Sequence, residues 1–284
     1  MNKKNVLLKD LISMKVGGKA RELISPETVD ELIFLVKKLY KNDEKFFILG
    51  NGTNVMFSDE GFDGVIVSLI SIKGEVNAFT SLSKFAKYMT KNGYEGFSGL
   101  AGIPGLIGGG IYMNAGAYDD EIKDNLLSVK VYDIREDKEK IFDKKELDFS
   151  YRHSIFQEER ISDNIGRYII LNAKFNLIKG NKDALILKMN ESLKKRKEKQ
   201  PLEYPSAGSF FKRPKNNFAG KLISDAGLPG YKIGGAMVSK KHAGFIINYD
   251  NATSNDIIKL QNFIIKTVYE KFEIKLEAEV IYIR

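Results

Sequence analysis

A five-residue segment, Gly50-Asn51-Gly52-Thr53-Asn54, has the residue types of an anion-binding loop. It follows the apolar run Phe46–Leu49, which predicts a buried strand, and backbone N–H groups at the end of such a strand can form an anion-binding nest. No Gly-Lys-Ser/Thr follows, so the segment is not a P-loop, and its glycine spacing differs from the dinucleotide-binding fingerprint. The alternative interpretation is an ordinary Asn-Gly turn between two strands.

Arg152 and Ser209 each lie in a short polar segment that could take part in catalysis. In Tyr151-Arg152-His153-Ser154, the guanidinium of Arg152 can bind a carboxylate or a phosphate through two hydrogen bonds, although a surface salt bridge explains it equally well. Ser209 lies among small residues before Phe210-Phe211, and the segment does not match the Gly-x-Ser-x-Gly motif of hydrolases. Ser209 is therefore either a proton donor or a turn residue.

Two carboxylates, Glu277 and Glu279, lie within the predicted final strand, Leu276–Ile283. Side chains two positions apart lie on the same face of a strand, so the two carboxylates are expected to share a face. Paired glutamates on a strand commonly face solvent, whereas the surrounding Val, Ile and Leu favour a position facing a cleft. Both interpretations stay open on these residues alone.

The stretch from Gly99 to Tyr118 is unusually rich in glycine, with seven glycines in twenty residues and no charge before Asp119. A flexible linker would be more polar, and a membrane-spanning helix would contain fewer glycines. The composition predicts a buried loop in which several residues adopt a positive φ and the backbone approaches a large, flat ligand closely. Considered together with Gly50–Asn54, the stretch favours a bound pyrophosphate.

The elements that must position these residues begin as an α/β unit. The first 70 residues predict a strand, a helix, a second strand, a loop and a third strand. Ser25 and Pro26 predict the start of that helix, as its N-cap and its first helical residue. Pro201–Pro205 is a plausible domain boundary. Further helices are predicted at Leu82–Met89, Asp183–Gln200 and Asp256–Tyr269.

Composition excludes several classes of site. The 284 residues include no cysteine and only two histidines, which excludes disulfides, thiolate metal centres, thiol catalysis and a histidine-rich metal site. The net charge of +8 is explained by lysines scattered among acidic neighbours, so no nucleic-acid partner is expected. The N-terminus lacks the features of a signal peptide and no segment is long and apolar enough to span a membrane, so a soluble, cytoplasmic protein is expected.

The chain carries, in order, Val16-Gly17-Gly18, Leu49–Asn54, Gly102–Gly105 with Gly108-Gly109, Met113–Tyr118, Tyr151–Ser154, Pro205–Pro214, Ala219–Ile223, Lys241–Phe245 and Leu276–Val280. In order and spacing these motifs resemble one family, UDP-N-acetylenolpyruvoylglucosamine reductase, a flavoenzyme that makes UDP-N-acetylmuramate for peptidoglycan. Each motif is weak alone, but the combination is highly specific and covers nearly the whole chain. The compact Pro205–Pro214 region resembles the subgroup that lacks an extra substrate-covering tyrosine loop.

The resemblance implies an α+β protein with a two-lobed FAD-binding fold, made of a small α/β lobe and a larger mixed-sheet lobe, and a third α+β domain for the substrate. The first lobe is expected at residues 1–70, joined by the C-terminal strand at 274–284, the second lobe at 71–200 and the substrate domain at 201–273. FAD is expected between the two lobes. The residues expected to bind it are Gly50, Asn51, Gly52, Thr53, Asn54, Gly102, Pro104, Gly105, Gly109, Asn114, Gly116 and Ala117.

The implied reaction uses NADPH to reduce the flavin, which then passes a hydride to the vinyl carbon of a UDP-sugar enolpyruvyl ether. Arg152 and Glu279 match the family residues beside the substrate carboxylate, where negative charge develops, and a protonated Glu279 would avoid repelling that charge. Ser209 matches the residue that protonates the other carbon. Tyr151, Lys212 and Arg213 are expected to contact the substrate. The resemblance implies no metal, and a monomer is expected.

One segment departs from the family pattern. Between Leu69 and Ser81 the family usually has a further strand and a small glycine-rich turn, whereas this chain has only Ile70–Thr80, and the segment ahead of Gly102 is also short. FAD contacts from this region are therefore in question. The alternative functions are an FAD-dependent oxidase with the same flavin-binding fold and a non-catalytic nucleotide-binding relative.

Overall fold

The computed structural model describes residues 2–72, 77–162 and 165–284. The helices are α1 (Val29–Lys41), α2 (Leu82–Lys91), α3 (Ile107–Tyr112), α4 (Ile122–Asn125), α5 (Lys182–Lys199), α6 (Ala219–Asp225) and α7 (Ser254–Phe272). The strands are β1 (Asn2–Leu7), β2 (Lys19–Ile24), β3 (Phe46–Leu49), β4 (Val55–Phe57), β5 (Phe62–Ser68), β6 (Gly116–Ala117), β7 (Asp120–Glu121), β8 (Leu126–Asp133), β9 (Lys138–Asp143), β10 (Arg160–Ser162), β11 (Ile165–Gly166), β12 (Tyr168–Phe175), β13 (Lys232–Ile233), β14 (Ala236–Val238), β15 (Ile246–Asn248) and β16 (Ile281–Ile283). None of the described helices combines the length and the apolar character needed to cross a lipid bilayer.

The sheets mix parallel and antiparallel pairing. The strand orders are β1-β2-β5-β3 in a four-stranded sheet and β12-β8-β9 and β13-β14-β15 in two three-stranded sheets. β3 runs parallel to β5, whereas both three-stranded sheets are antiparallel. β16 pairs in parallel with β4, so that the end of the chain returns to a strand from its first quarter. Helices together with such mixed sheets agree with the predicted α+β class.

The chain divides into two compact units. The first unit comprises Met1–Lys3, Glu22–Asn51 and Gly64–Arg196, and the second comprises Lys4–Arg21, Gly52–Asp63 and Lys197–Arg284. In the first unit, one apolar cluster surrounds α2, α3, β8 and β12, and another joins α1 to β3 and β5. In the second unit, α7 buries Ile257, Leu260, Ile264 and Val268 at helical spacing.

The predicted start of α1 is wrong by three residues. The N-cap is Thr28 rather than Ser25, and Pro26 lies before the helix rather than at its first position. The hydroxyl of Thr28 accepts a hydrogen bond from Glu31 N (3.1 Å), and the Glu31 carboxylate accepts one from Glu27 N (2.8 Å). These two bonds satisfy donors at the helix end, which is why Thr28 is the stronger cap.

The predicted final strand is also shorter than expected. Only Ile281–Ile283 pairs as a strand with β4. The preceding residues pair elsewhere, with Phe211 opposite Ala278 in an isolated antiparallel bridge. The expectation that Glu277 and Glu279 share one face of a continuous strand therefore loses its basis.

A buried carboxylate ties together the sheet of β8, β9 and β12. The side chain of Asp133 is fully buried and accepts hydrogen bonds from Arg167 Nη2 (2.9 Å) and Lys140 Nζ (2.7 Å). Burial alone would raise the pKa of Asp133, but the hydrogen bonds from Arg167 and Lys140 outweigh it and lower the pKa to about 2. The ionised form is thus strongly favoured in the folded chain.

We expect Asp133→Asn to lower the free energy of unfolding by about 2 kcal/mol at pH 7, from a pKa difference of nearly two units. A lowered carboxyl pKa gives stability that is complete above about pH 4 and is lost as the pH falls toward the folded value near 2. Urea unfolding at pH 7 and pH 3 measures both effects. Glu139→Gln, at an exposed ion pair, is the control and should change stability by less than about 1 kcal/mol. A loss that does not shrink at pH 3 would contradict the assignment.

Candidate functional site

Backbone pairing brings Ser209 and Glu279 close in register within the second unit. Glu279 N donates to Phe210 O (2.9 Å), and Lys212 N donates to Glu277 O (2.8 Å). Phe210 is buried and anchors the segment, whereas Ser209 is exposed. Two residues that are 70 positions apart in the sequence are therefore held on adjacent backbone segments.

The loop before β4 is fixed to the same part of the second unit. Asn54 Nδ2 donates to Glu279 O (3.2 Å), and Ile281 N donates to Asn54 O (3.0 Å). Gly52 has φ +61°, and a Cβ at this position would lie 2.6 Å from Leu11 O, so only glycine fits. Of the predicted anion-binding segment, Gly52, Thr53 and Asn54 lie in the same unit as Glu279, and Gly50 and Asn51 belong to the first unit.

Arg152 lies in the first unit, bonded to the end of the glycine-rich stretch. Its Nη2 donates to Gly116 O (2.9 Å) and its Nη1 to Asn114 O (3.4 Å). Its backbone has φ +54°, a left-handed conformation that is costly for a residue other than glycine. The two bonds to Gly116 O and Asn114 O hold the guanidinium against the end of the glycine-rich stretch.

Asn114 holds this turn in place through its side chain. It is fully buried, and its Nδ2 donates to Ser150 O (2.8 Å) and to a carboxylate oxygen of Glu121 (3.2 Å). Its Oδ1 accepts from Lys123 N (3.3 Å). The side-chain amide of this predicted cofactor residue is thus engaged within the protein. Its backbone is engaged as well, because Asn114 N donates to Ile111 O (3.1 Å) and Asn114 O accepts from Arg152.

The glycine-rich stretch is a loop only in part, because it contains the short helix α3. Within it, a Cβ on Gly110 would lie 3.0 Å from Leu82 Cδ2, and one on Gly108 would lie 3.2 Å from Ala78 O. Gly109 is exposed, and a Cβ there would meet no atom within 4 Å. Two glycines therefore allow close internal packing, and the third leaves an open backbone surface. That surface suits the flat ligand expected from the sequence.

Gly102, Pro104 and Gly105, which are also predicted to bind the cofactor, lie in the segment just before α3. Gly105 has φ +120°, and its carbonyl accepts from Leu82 N at the start of α2 (2.9 Å). Pro104 is exposed beside it, and Gly102 ends a short 3₁₀ turn. On the far side of α3, Ala117 O lies only 2.1 Å from where a Cβ on Gly99 would stand, so the two ends of the stretch touch.

The segment that departs from the family pattern lies partly outside the described residues, which omit 73–76. Its described end, Asn77–Thr80, forms a turn in which Asn77 Oδ1 accepts from Phe79 N (2.9 Å). Gly108 N donates to Ala78 O (2.8 Å), and Ile107 N donates to Thr80 O (2.9 Å). This turn therefore supports the first residues of α3.

Arg196 is a candidate that the sequence did not single out. Its Cδ lies 2.9 Å from where a Cβ on Gly102 would stand, and burial lowers the pKa of its guanidinium. Within the described part of the chain it makes no ion pair. Burying a cation partly without a carboxylate partner costs free energy unless an anion binds to it. In the sequence it is one of many basic residues in α5, and only its packing against Gly102 distinguishes it.

The three residues predicted to bind the substrate, Tyr151, Lys212 and Arg213, each contact another side chain of the protein. The Arg152 guanidinium lies 5.1 Å from the centre of the Tyr151 ring, and Arg213 lies 4.9 Å from that of Phe218. Lys212 Nζ pairs with Glu277 (2.5 Å). The two glutamates therefore differ: Glu277 is an exposed partner of a lysine, and Glu279 is half-buried beside Phe210.

Comparisons with known proteins identify the class and then the family. The sequence model described as "FAD binding domain" matches residues 20–137, so this part of the chain belongs to a class of FAD-binding domains. The model described as "UDP-N-acetylenolpyruvoylglucosamine reductase, C-terminal domain" matches residues 200–283. The first match includes the whole glycine-rich stretch, and the second includes the segments that carry Ser209 and Glu279.

Relatives match over almost the whole chain. UDP-N-acetylenolpyruvoylglucosamine reductase from Caldicellulosiruptor saccharolyticus is 44% identical over 97% of this chain and 90% of its own length. The protein of the same name from Caldanaerobacter subterraneus is 46% identical over 97% of this chain and 91% of its own. The crystal structure of the reductase from Thermus caldophilus aligns with a TM-score of 0.81 and 30% identity, covering 100% of this chain and 98% of that one.

The chain belongs to the UDP-N-acetylenolpyruvoylglucosamine reductase family. This confirms the predicted family and the α+β FAD-binding fold. It also makes the protein an oxidoreductase with an FAD-binding domain. The roles of individual residues, the boundaries predicted for three domains, the subgroup and the use of NADPH stay predictions.

Proposed function

We propose that this chain uses NADPH to reduce the enolpyruvyl group of UDP-N-acetylglucosamine enolpyruvate, giving UDP-N-acetylmuramate for peptidoglycan synthesis. It is thus an oxidoreductase of the class that acts on CH–CH bonds, in which NADPH is the donor in this direction and NADP is the acceptor in the reverse direction. The observation that carries the proposal is the pairing of the Ser209 segment with the Glu279 segment in a chain of this family. The proposal extends to a cytoplasmic role in making precursors for the cell wall, on which cell shape and division depend.

FAD, when bound, supplies hydride transfer from the nicotinamide to the substrate. We assign its binding to the twelve residues named from the sequence, with the open backbone at Gly109 as their best-supported member. We add Arg196, whose side chain packs beside Gly102, because an anionic group of the cofactor would balance the positive charge of its partly buried guanidinium.

The residues assigned to the substrate have distinct tasks. Arg152 stabilises the negative charge that develops on the substrate carboxylate, a contribution typically worth about 10²–10³ in turnover for one such group. Glu279 donates a hydrogen bond to the same group when protonated. Ser209 delivers the proton to the carbon that does not receive the hydride, so that one hydride and one proton saturate the double bond. Its hydroxyl is a weak acid and therefore relays a proton supplied by water or a nearby lysine.

A colour experiment tests the whole proposal. The purified protein loaded with FAD should lose its yellow colour when NADPH is added without oxygen, and regain it when the enolpyruvyl substrate is added. UDP-N-acetylglucosamine, which lacks the enolpyruvyl group, is the matched control and should restore no colour. Colour that returns only with oxygen would instead indicate an oxidase, and failure to hold FAD would reject the proposal.

A further inference from the structure

His242 is a half-buried imidazole in the loop Ser239–Phe245, which joins β14 to β15. Its Nδ1 accepts a hydrogen bond from Gly244 N (3.1 Å). A ring nitrogen that accepts carries no proton, so His242 is neutral with its proton on Nε2. Burial lowers the pKa of His242, in agreement with a neutral ring.

The ring has little room to move. A Cβ on Gly220 would lie 3.3 Å from His242 Cε1, and a Cβ on Gly244 would lie 3.0 Å from the same atom. The Phe245 ring meets the imidazole edge to face at 4.8 Å. The turn itself is held by Ser239, whose Oγ accepts from His242 N (3.2 Å). Packing therefore fixes the acceptor nitrogen in front of the Gly244 amide.

A chain of backbone hydrogen bonds leads from this amide to the candidate catalytic segment. Gly244 O accepts from Phe210 N (2.8 Å), and Phe210 O accepts from Glu279 N (2.9 Å). Ser209 directly precedes Phe210. On its other side lies Gly208, with φ +80° and no atom within 4 Å of where a Cβ would stand. The bond from Phe210 N to Gly244 O is therefore the hydrogen bond next to Ser209 in the sequence that helps to fix its position.

We propose that His242 is a positioning residue for Ser209 and Glu279, acting through the backbones of Gly244 and Phe210. The proposal rests on the function proposed above for Ser209 and Glu279. Its specific requirement is an unprotonated acceptor at the δ position of residue 242. An imidazole needed only to fill space would not have that requirement.

Three substitutions separate positioning from packing. The side-chain oxygen of His242→Asn can replace Nδ1 as the acceptor, whereas His242→Gln places its amide one bond further out and His242→Leu has no acceptor. In the FAD-loaded protein, we expect Gln and Leu to slow reoxidation of the flavin by the enolpyruvyl substrate about tenfold, with bleaching by NADPH unchanged. Asn should restore most of the loss.

Amide hydrogen exchange of Gly244 and Phe210 gives a readout that needs no substrate. Both amides should exchange about tenfold faster in the Gln and Leu variants, and close to the wild-type rate in the Asn variant. An Asn variant as impaired as Gln, or an equal loss in both half-reactions, would overturn the proposal. If Ser209→Ala keeps full substrate reduction, the function proposed for Ser209 fails. If Ser209→Ala loses it while His242→Gln keeps it, only the role of His242 fails.

Discussion

Ser209→Ala should lower the rate at which the enolpyruvyl substrate reoxidises the reduced flavin by about 10²–10⁴, the usual contribution of a positioned proton donor. FAD content and bleaching by NADPH should stay close to wild type. The structural reason is that Ser209 is exposed while its neighbour Phe210 is buried and bonded to Gly244 and Glu279. Removing one hydroxyl therefore leaves the backbone of the segment in place and removes only the proton path.

Rapid-mixing absorbance under anaerobic conditions measures the two half-reactions separately. Ser206→Ala is the matched control, because Ser206 lies in the same segment and is fixed through its carbonyl, which accepts from Ser13 Oγ (2.7 Å). It should retain both rates. Equal losses in both half-reactions of Ser209→Ala would show a general disturbance and would reject a proton-donor role.

The family and the approximate positions of helices could be predicted from the sequence, because they depend on which residues follow one another along the chain. The motifs identified the family. Basic composition up to Pro201 located α5, and helix periodicity located α7, each to within a few residues. The start of α1 was misplaced because Ser25 and Thr28 are both good caps, and the bonds from Glu31 N to Thr28 and from Glu27 N to Glu31 favour the second. A choice between two competent caps is made by local geometry rather than by residue type.

The site was predicted less completely because its decisive contacts join distant residues. The sequence identified Ser209 and Glu279, but the backbone bond between their segments crosses about 70 residues. His242 lies in the family motif Lys241–Phe245, but the sequence indicated no role for it, since its importance comes from one acceptor bond to Gly244. Arg196 was hidden among the lysines of α5, and its packing against Gly102 cannot be read from the sequence.

Gly109 offers the sharpest test of the cofactor surface, because its open backbone separates ligand binding from folding. In the apoprotein, Gly109→Ala should leave stability unchanged or raise it by about 0.5–1 kcal/mol, since alanine favours the helix and the new Cβ meets no atom within 4 Å. If FAD contacts this backbone, the same methyl group should weaken FAD binding by about 10- to 100-fold, the effect of 1–3 kcal/mol of overpacking.

Two other glycines of the first unit provide the comparison. Gly166 also has open space at its Cβ position, so Gly166→Ala should change neither property, whereas Gly110→Ala should destabilise the apoprotein because its Cβ would crowd Leu82 (3.0 Å) and Ile122 (3.1 Å). FAD fluorescence titration and thermal unfolding of the apoproteins measure the two properties. Weaker FAD binding in a fully stable Gly109→Ala protein would place the cofactor against α3. FAD binding as tight as in wild type would mean that the glycine-rich stretch serves packing within the protein, and the flavin-lining role would have to be abandoned.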